Sequence, residues 1–365
     1  MESVIRQRIK KNNIVDKYSL LCDIPKNMLL ELTNICNDSC LFCANSKCTK
    51  KRGIIAPKLA KSILKEAYEA GVREVGFYGT GEPLIDSNLE EYISFAKHLG
   101  YEYIYITTNG ALLTKERADE IVRTGIDSIK LSINAANKED YALIHGKDEF
   151  DQVIKNLIYL HSLKKENKKN FSIYISYVVT RYSEKDKDKF KDQYDKYVDD
   201  ILFYDCLNIS GSMSREVTNY LSIDTKRKND SANICPMIFN NLYITYEGYL
   251  TMCCSDFQNY LVIADLKKDK LVDAWNNTVI PPNSSGNGKA YIDFGSASDS
   301  NAPGGSASHG VCPPARVLRA AVLAEGFGLP VGMCGDNDAV LFGFNPSEDI
   351  KVTNNHDYPV KIVMW

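Results

Sequence analysis

The sequence predicts an α/β fold: a parallel sheet with helices outside it, closed or partly closed as a (β/α)6 barrel. Three observations carry this. Strand-like and helix-like segments alternate through six strands between residues 28 and 206, the pattern of parallel strands joined by helical crossovers. The first strand, residues 28–32, is apolar on both faces apart from Glu31, as in a strand covered on both sides. Polar and glycine-rich clusters follow several strands at their C-terminal ends, where chemistry gathers in such folds.

The elements follow in order. Residues 1–25 are polar and basic and read as a short helix and an N-terminal connector. Residues 57–70 read as a helix, with Leu59, Ile63, Leu64 and Ala67 on one stripe and Gly71 as the stop. The second strand, 74–78, ends in Gly79-Thr80-Gly81-Glu82-Pro83. Ser87-Asn88-Leu89-Glu90 reads as a capping box opening a helix that Gly100 closes. The third strand, 103–106, ends in Thr107-Thr108-Asn109-Gly110, and a helix over 115–124 is followed by Gly125. The fourth strand is 128–134, a helix covers 149–164, and the fifth strand is 171–179. A charged helix over 184–198 turns Phe190, Tyr194 and Val198 inward, and 201–204 is the sixth strand. The alternation defines a core over 26–215, before a hairpin extension at 230–277 and a tail at 278–365.

Composition narrows the function classes. A net charge of -3 argues for neither nucleic acid nor an anionic membrane as partner. No run approaches the ~20 apolar residues of a membrane span, and the N-terminus lacks a signal-peptide core, which makes the cytoplasm the expected location. Eleven cysteines in such a chain argue for metal binding or catalysis over disulfides. Of the 33 lysines, 30 precede residue 278. The tail instead is rich in Gly, Ala, Ser, Pro and Asn, which marks a boundary and suggests a chimeric join.

The loop after the first strand carries Cys36, Cys40 and Cys43 at spacing Cys-x3-Cys-x2-Cys. A full [4Fe–4S] site takes four cysteines. Three leave one iron open, and an open metal position serves catalysis. A zinc site with Cys48 as fourth ligand and a ferredoxin-like electron carrier are the alternatives. Phe42 is either a local packing residue or an aromatic surface for a purine.

The cysteine spacing with Phe42, followed by Gly79-Thr80-Gly81-Glu82-Pro83, resembles the radical S-adenosylmethionine (radical SAM) superfamily over roughly residues 26–215. The resemblance implies a partial, TIM-like (β/α)6 barrel. It implies that S-adenosylmethionine (SAM) is reductively cleaved at a [4Fe–4S] cluster on Cys36, Cys40 and Cys43, giving a deoxyadenosyl radical. Phe42 would pack near the adenine, and the loop of Gly79, Gly81 and Glu82 would offer backbone groups to the SAM amine. Ser132 and Asn134 would bind ribose or carboxylate, or else only cap the strand end. Thr108 and Asn109 would line the same rim. His145 stands where the family carries arginine, and Arg181 would take over its carboxylate contact. Cys206, after the sixth strand, is either an inert buried thiol or a hydrogen-atom donor.

Downstream, Cys235, Gly248 and Cys253 with Cys254 resemble the opening of a SPASM or twitch extension, built on a β-hairpin around Glu247-Gly248. The resemblance implies an auxiliary iron–sulfur cluster with Cys235, Cys253 and Cys254 as its ligands. The family's further cysteines do not follow; Cys312 and Cys334 stand apart. The tail's Gly310-Val311-Cys312, its apolar residues 317–324 and its residues 345–362 loosely resemble the end of VanW-like envelope modules, a separate β-rich segment. SPASM-bearing enzymes often act on peptides or proteins, so a peptide or protein substrate is expected, with flavodoxin or ferredoxin as electron donor. The rivals are a non-catalytic iron–sulfur or zinc protein and a degenerate, inactive relative.

Overall fold

A computed structural model describes residues 2–12, 24–166, 170–206, 221, 237–259 and 261–276, with short strands at 279–280, 285–287, 351–353 and 360–361. The chain divides into two compact units. The first holds Met1–Ile14, Pro25–Gly248 and Cys254–Gln258; the second holds Val15–Ile24, Tyr249–Cys253 and Asn259–Trp365.

The first unit is built on β1 (Asn27–Leu30), β2 (Glu74–Phe77), β3 (Tyr103–Thr108), β4 (Ser128–Ser132), β5 (Ser172–Val179), β6 (Asp200–Asp205) and β7 (Asn241–Ile244). They lie in the order β6-β5-β4-β3-β2-β1-β7, every pairing parallel. β6 and β7, at the two ends of this row, do not pair with each other, so the barrel is partial, as the sequence predicts. Helices α2 (Pro57–Ala70), α3 (Leu89–Leu99), α4 (Lys115–Arg123), α5 (Lys138–His145), α6 (Phe150–Glu166) and α7 (Lys187–Tyr194) supply the crossovers.

The register sorts the strand residues into two faces. Val75, Phe77, Ile104, Ile106, Ile129, Leu131, Ile173 and Ile175 fall on one face and are fully buried. Burial contributes roughly 1.5–3 kcal/mol for each large apolar side chain. The opposite face carries Glu74, Tyr103, Tyr105, Thr107, Ser128, Lys130, Ser132, Tyr174 and Asp200. This polar face lines the inside of the barrel.

The short helix expected within residues 1–25 forms as α1 (Val4–Asn12). Its Arg8 lies over the rings of Tyr103 and Tyr105, at 3.9 and 4.6 Å, and pairs with Glu74. Its Arg6 pairs with Asp200, as does the Ser3 hydroxyl. Glu74, Tyr103 and Asp200 all begin their strands, so α1 covers the N-terminal end of the sheet. The capping box at Ser87 does not form. Asn88 is the N-cap, and Asp86 Oδ1 accepts from its backbone N–H at 2.8 Å. The charged helix breaks into α7 flanked by 3-10 turns at Glu184–Asp186 and Asp195–Tyr197. Within α7 only Phe190 and Tyr194 are buried, and two side chains make no continuous stripe. α5 is too short for periodicity to reveal, and a side-chain cap starts it: Asn137 accepts from the Asp140 N–H at 2.8 Å. β7, which the sequence reading places in the hairpin extension, also joins β1 in parallel register.

The turn expected at Glu247-Gly248 is made, with Gly248 at φ 86 donating to Thr245 O at 2.8 Å. α8 (Met237–Asn240) precedes β7. In the second unit, β8 (Tyr249–Thr251) pairs antiparallel with β9 (Val262–Asp265), and α9 (Leu271–Asn276) buries Trp275. β10 (Val279–Ile280) pairs with β13 (Val360–Lys361), and β11 (Ser285–Asn287) with β12 (Lys351–Thr353). The rest of the VanW-like stretch lies outside the described residues, as do Cys235, Cys312 and Cys334. Among the described residues, no helix is long and apolar enough to cross a membrane.

Candidate active site

The cysteine loop leaves β1 at the C-terminal rim and is held from three sides. On the first, the Thr33 hydroxyl donates to Gly53 O at 2.7 Å, and Asn34 Oδ1 accepts from Gly53 N at 2.9 Å. Arg52 adds bonds to Asn34 O and to Asn45 Oδ1. On the second, Glu82 N donates to Ile35 O at 2.8 Å. On the third, Ser39 N and Leu41 N donate to the last carbonyls of α5, His145 O and Ile144 O, at 3.0 and 2.9 Å. Two glycines permit these approaches. A Cβ at Gly81 would stand 2.3 Å from Thr33 O and 2.5 Å from Ile35 O. One at Gly146, at φ 75, would stand 2.2 Å from Ser39 Oγ.

The three cysteines are free and half-buried. Burial pushes the Cys36 thiol up to about 12 and raises Cys40 and Cys43 as well. The charges of Cys43, Asp38 and Cys36 push Cys40 the same way. Three thiols on one loop that burial keeps protonated fit a metal cluster, whose positive charge supplies the missing stabilisation of thiolates. Cys48 is turned elsewhere: its Sγ donates to Phe257 O at 3.2 Å.

Beneath the loop runs a buried polar chain. His145 Nδ1 lies 2.9 Å from Asp38 Oδ2 and 3.6 Å from Cys40 Sγ. Its Nε2 lies 3.1 Å from Asn134 Nδ2. Asn134 Oδ1 accepts from Val178 N at 2.8 Å, which orients the amide and makes Nδ2 the donor to His145. His145 Nε2 therefore accepts, and Nδ1 carries the proton. Asp38, Cys40 and His145 place their ligand atoms within 4.8 Å of one another. With its proton on Nδ1, however, the imidazole serves there as a donor and not as a metal ligand. The ring also stacks on Tyr141, 4.0 Å between centroids.

A second cluster lies on the same rim. Glu82 is 3% exposed, and its carboxylate accepts from Thr108 Oγ1 at 2.7 Å, Asn109 N at 2.8 Å and Leu84 N at 3.0 Å. Burial outweighs these donors and pushes the carboxyl up to about 7. Asn109 Nδ2 reaches Asn37 Oδ1 at 2.8 Å, and Asn37 Nδ2 reaches Asp38 Oδ1 at 3.1 Å. The strand ends of β2 and β3 are thus bonded to the cysteine loop.

The structure therefore gathers Cys36, Cys40, Cys43, Gly81, Glu82, Thr108, Asn109 and Asn134 on one rim. It also alters the reasons given for three of them. Gly81 answers the loop carbonyls of Thr33 and Ile35. The N–H of Glu82 is already given to Ile35, and its carbonyl accepts from Ile85 N at 3.1 Å, which leaves a ligand only the second lone pair of that oxygen. Asn134 uses its amide on His145 and β5. Gly79 packs over Glu31, whose Oε2 accepts from Thr80 N at 2.8 Å. Ser132 faces Ser176, 3.1 Å between hydroxyls. Phe42 packs against Cys206 and Leu221 with Val178 and Tyr182. Burial lifts the Cys206 thiol to about 11. Arg181 is exposed. Cys253 is half-buried and Cys254 exposed. One site residue escapes the sequence reading: Asp38 sits inside the motif without a signal of its own.

Residues 30–192 match the family model of the radical SAM superfamily. They form a radical SAM domain of that superfamily. Residues 235–280 match the SPASM iron–sulfur cluster-binding domain. A radical SAM domain implies a [4Fe–4S] cluster and SAM, and a SPASM domain suggests auxiliary clusters. Protein MJ0804 of Methanocaldococcus jannaschii is 34% identical over 139 residues, 37% of this chain and 44% of that protein. A probable GTP 3',8-cyclase of Saccharolobus solfataricus is 32% identical over 132 residues, 36% of this chain and 42% of that protein. The chain thus spans less than half the length of these curated relatives. Among solved structures, Streptococcus suis SuiB bound to precursor peptide SuiA is similar in fold, with TM-score 0.56 and 16% identity over 74% of this chain and 67% of SuiB. So is anSMEcpe with bound AdoMet and a Cp18Cys peptide, with TM-score 0.50 and 17% identity over 69% and 80% of the two chains.

Proposed function

We propose that this chain reductively cleaves SAM and uses the resulting radical to modify a peptide or protein. Three half-buried thiols on one loop bonded to three neighbouring segments carry the reading. A [4Fe–4S] cluster with SAM on its open iron supplies one-electron cleavage of the sulfonium bond. Cys36, Cys40 and Cys43 would hold that cluster. Glu82, Thr108 and Asn109 keep the rim rigid beside it, and the Gly81 and Glu82 carbonyls are the backbone acceptors for the amine of SAM. Asp38, His145 and Asn134 hold Cys40 in place from below. Phe42, Ser132 and Arg181 are the remaining candidates for contacts to SAM, and Cys206 for hydrogen-atom donation. Cys235, Cys253 and Cys254 are the candidate ligands of an auxiliary cluster. The electron would come from a donor such as flavodoxin or ferredoxin.

The peptide reading is supported by the SPASM domain and by family frequency. A nucleotide substrate is the second reading, favoured by the relatives named as probable GTP 3',8-cyclases. Anaerobic reconstitution with iron and sulfide, then dithionite and SAM, tests the core claim: release of 5'-deoxyadenosine is expected. Tightly bound zinc without SAM cleavage would sink it in favour of a metal-binding protein of another kind. GTP and short peptides added as co-substrates separate the two substrate readings by which one accelerates SAM consumption.

A further inference from the structure

The lumen face of the barrel holds a cation that the cluster site does not use. Lys130 lies on β4, in register with Thr107 of β3 and Tyr174 of β5. It is half-buried, and its Nζ stands 5.7 Å from the centre of the Tyr78 ring. The carboxylates on this face are occupied elsewhere, Glu74 by Arg8 and Asp200 by Arg6 and Ser3. Among the described residues no carboxylate pairs with Lys130, and its charged neighbour is the cation Arg8. Beside it, Thr107 Oγ1 is buried without a hydrogen-bond partner.

An ammonium enclosed by protein without a counter-charge is costly, and a methionine would fill the same space without that cost. Enclosure pulls Lys130 down to about 8, which still leaves the ammonium as the main form at pH 7. A buried donor hydroxyl adjoining it is a second unmet demand at the same place. An oxyanion in the lumen meets both. One ammonium and one hydroxyl among tyrosine rings suit a singly charged group. A polyphosphate would need more cations, and Arg8 is committed to Glu74.

We propose that Lys130 and Thr107 form a subsite that binds a carboxylate of the substrate. The proposal rests on the barrel being the reaction chamber of a radical SAM enzyme.

The test is a titration of the reconstituted full-length chain carrying 15Nζ-labelled lysine, with acetate and with inorganic phosphate at constant ionic strength. One lysine signal, absent from K130M, is expected to shift saturably with acetate. T107A should weaken acetate about threefold to tenfold, the loss of one hydrogen bond, read on the same Lys130 signal. K130M should unfold at the same or higher urea concentration than wild type, since it removes an unpaired charge. The proposal is overturned if acetate leaves the Lys130 signal unmoved or moves all lysine signals alike. It is equally overturned if phosphate saturates the site at lower concentration than acetate, or if K130M and K130R both fail to fold. The titration needs no SAM cleavage. A wild-type chain without cleavage but with acetate binding refutes the radical reading alone, and the converse refutes the subsite alone.

Discussion

Replacing His145 by alanine tests the buried chain under the cysteine loop. The substitution removes the imidazole proton that Asp38 Oδ2 accepts at 2.9 Å, in a pair whose side chains are each 1% exposed. Asp38 keeps a donor in Asn37 Nδ2 at 3.1 Å, but Asn134 Nδ2 loses its acceptor and Tyr141 its stacked neighbour. Breaking one side of a buried ion or hydrogen-bonded pair costs ~3–5 kcal/mol, because the remaining charge stays buried. That is a large part of the ~5–15 kcal/mol typical of a domain. With a urea slope of ~3 kcal/mol/M, the unfolding midpoint of the apo chain should fall by roughly 1 M. Iron per chain after reconstitution should fall with it, since Ser39 and Leu41 bond to the carbonyls at the end of the same helix. A midpoint within ~0.2 M of wild type, with full iron content, would refute the assignment of His145 as a positioning residue. H145Q, which can still donate to Asp38, should recover part of the loss.

Three further predictions concern the rim and the tail. Gly81→Ala places a Cβ within 2.3–2.5 Å of the carbonyls of Thr33 and Ile35; it should cost ~1–3 kcal/mol and lower iron content, which urea unfolding and iron analysis read together. Glu82 titrates near 7 when folded, above the ~4.5 of an exposed glutamate. The folded state therefore holds this proton more tightly, so the group's contribution is full below pH ~4.5 and is lost as pH rises towards 7, by ~3 kcal/mol. E82Q should flatten stability across that window, and an unchanged slope would show that Glu82 is ionised throughout. A chain ending at residue 277 should keep the cluster and SAM cleavage of the full chain; loss of both in a soluble truncated protein would make residues 278–365 part of the enzyme.

Much of the fold was legible because strand and helix periods differ. The apolar stripe of α2 and its glycine stop match the predicted 57–70 to the residue. α5 was not legible, since eight residues give two turns of pattern. The pairing of β7 with β1 was not legible because pairing partners are invisible in sequence: β1 lies more than 200 positions earlier. At the site, the partners of the side chains were not legible: the Glu82 carboxylate bonds Thr108 and Asn109, and the Asn134 amide bonds His145 and Val178 N.

By itself the sequence determined the alternation that makes a parallel barrel, the three thiols with one iron left open, and the convergence of polar motifs on one rim. Those properties are local in the chain: spacing, period and strand ends. The tertiary structure decided what each side chain is free to do. It gave His145 a proton on Nδ1, spent the N–H of Glu82 on Ile35 and, among the described residues, left Lys130 without a carboxylate on the lumen face. Hydrogen-bond partners and counter-charges come from residues distant in sequence, so their presence or absence can be known only after the chain has folded.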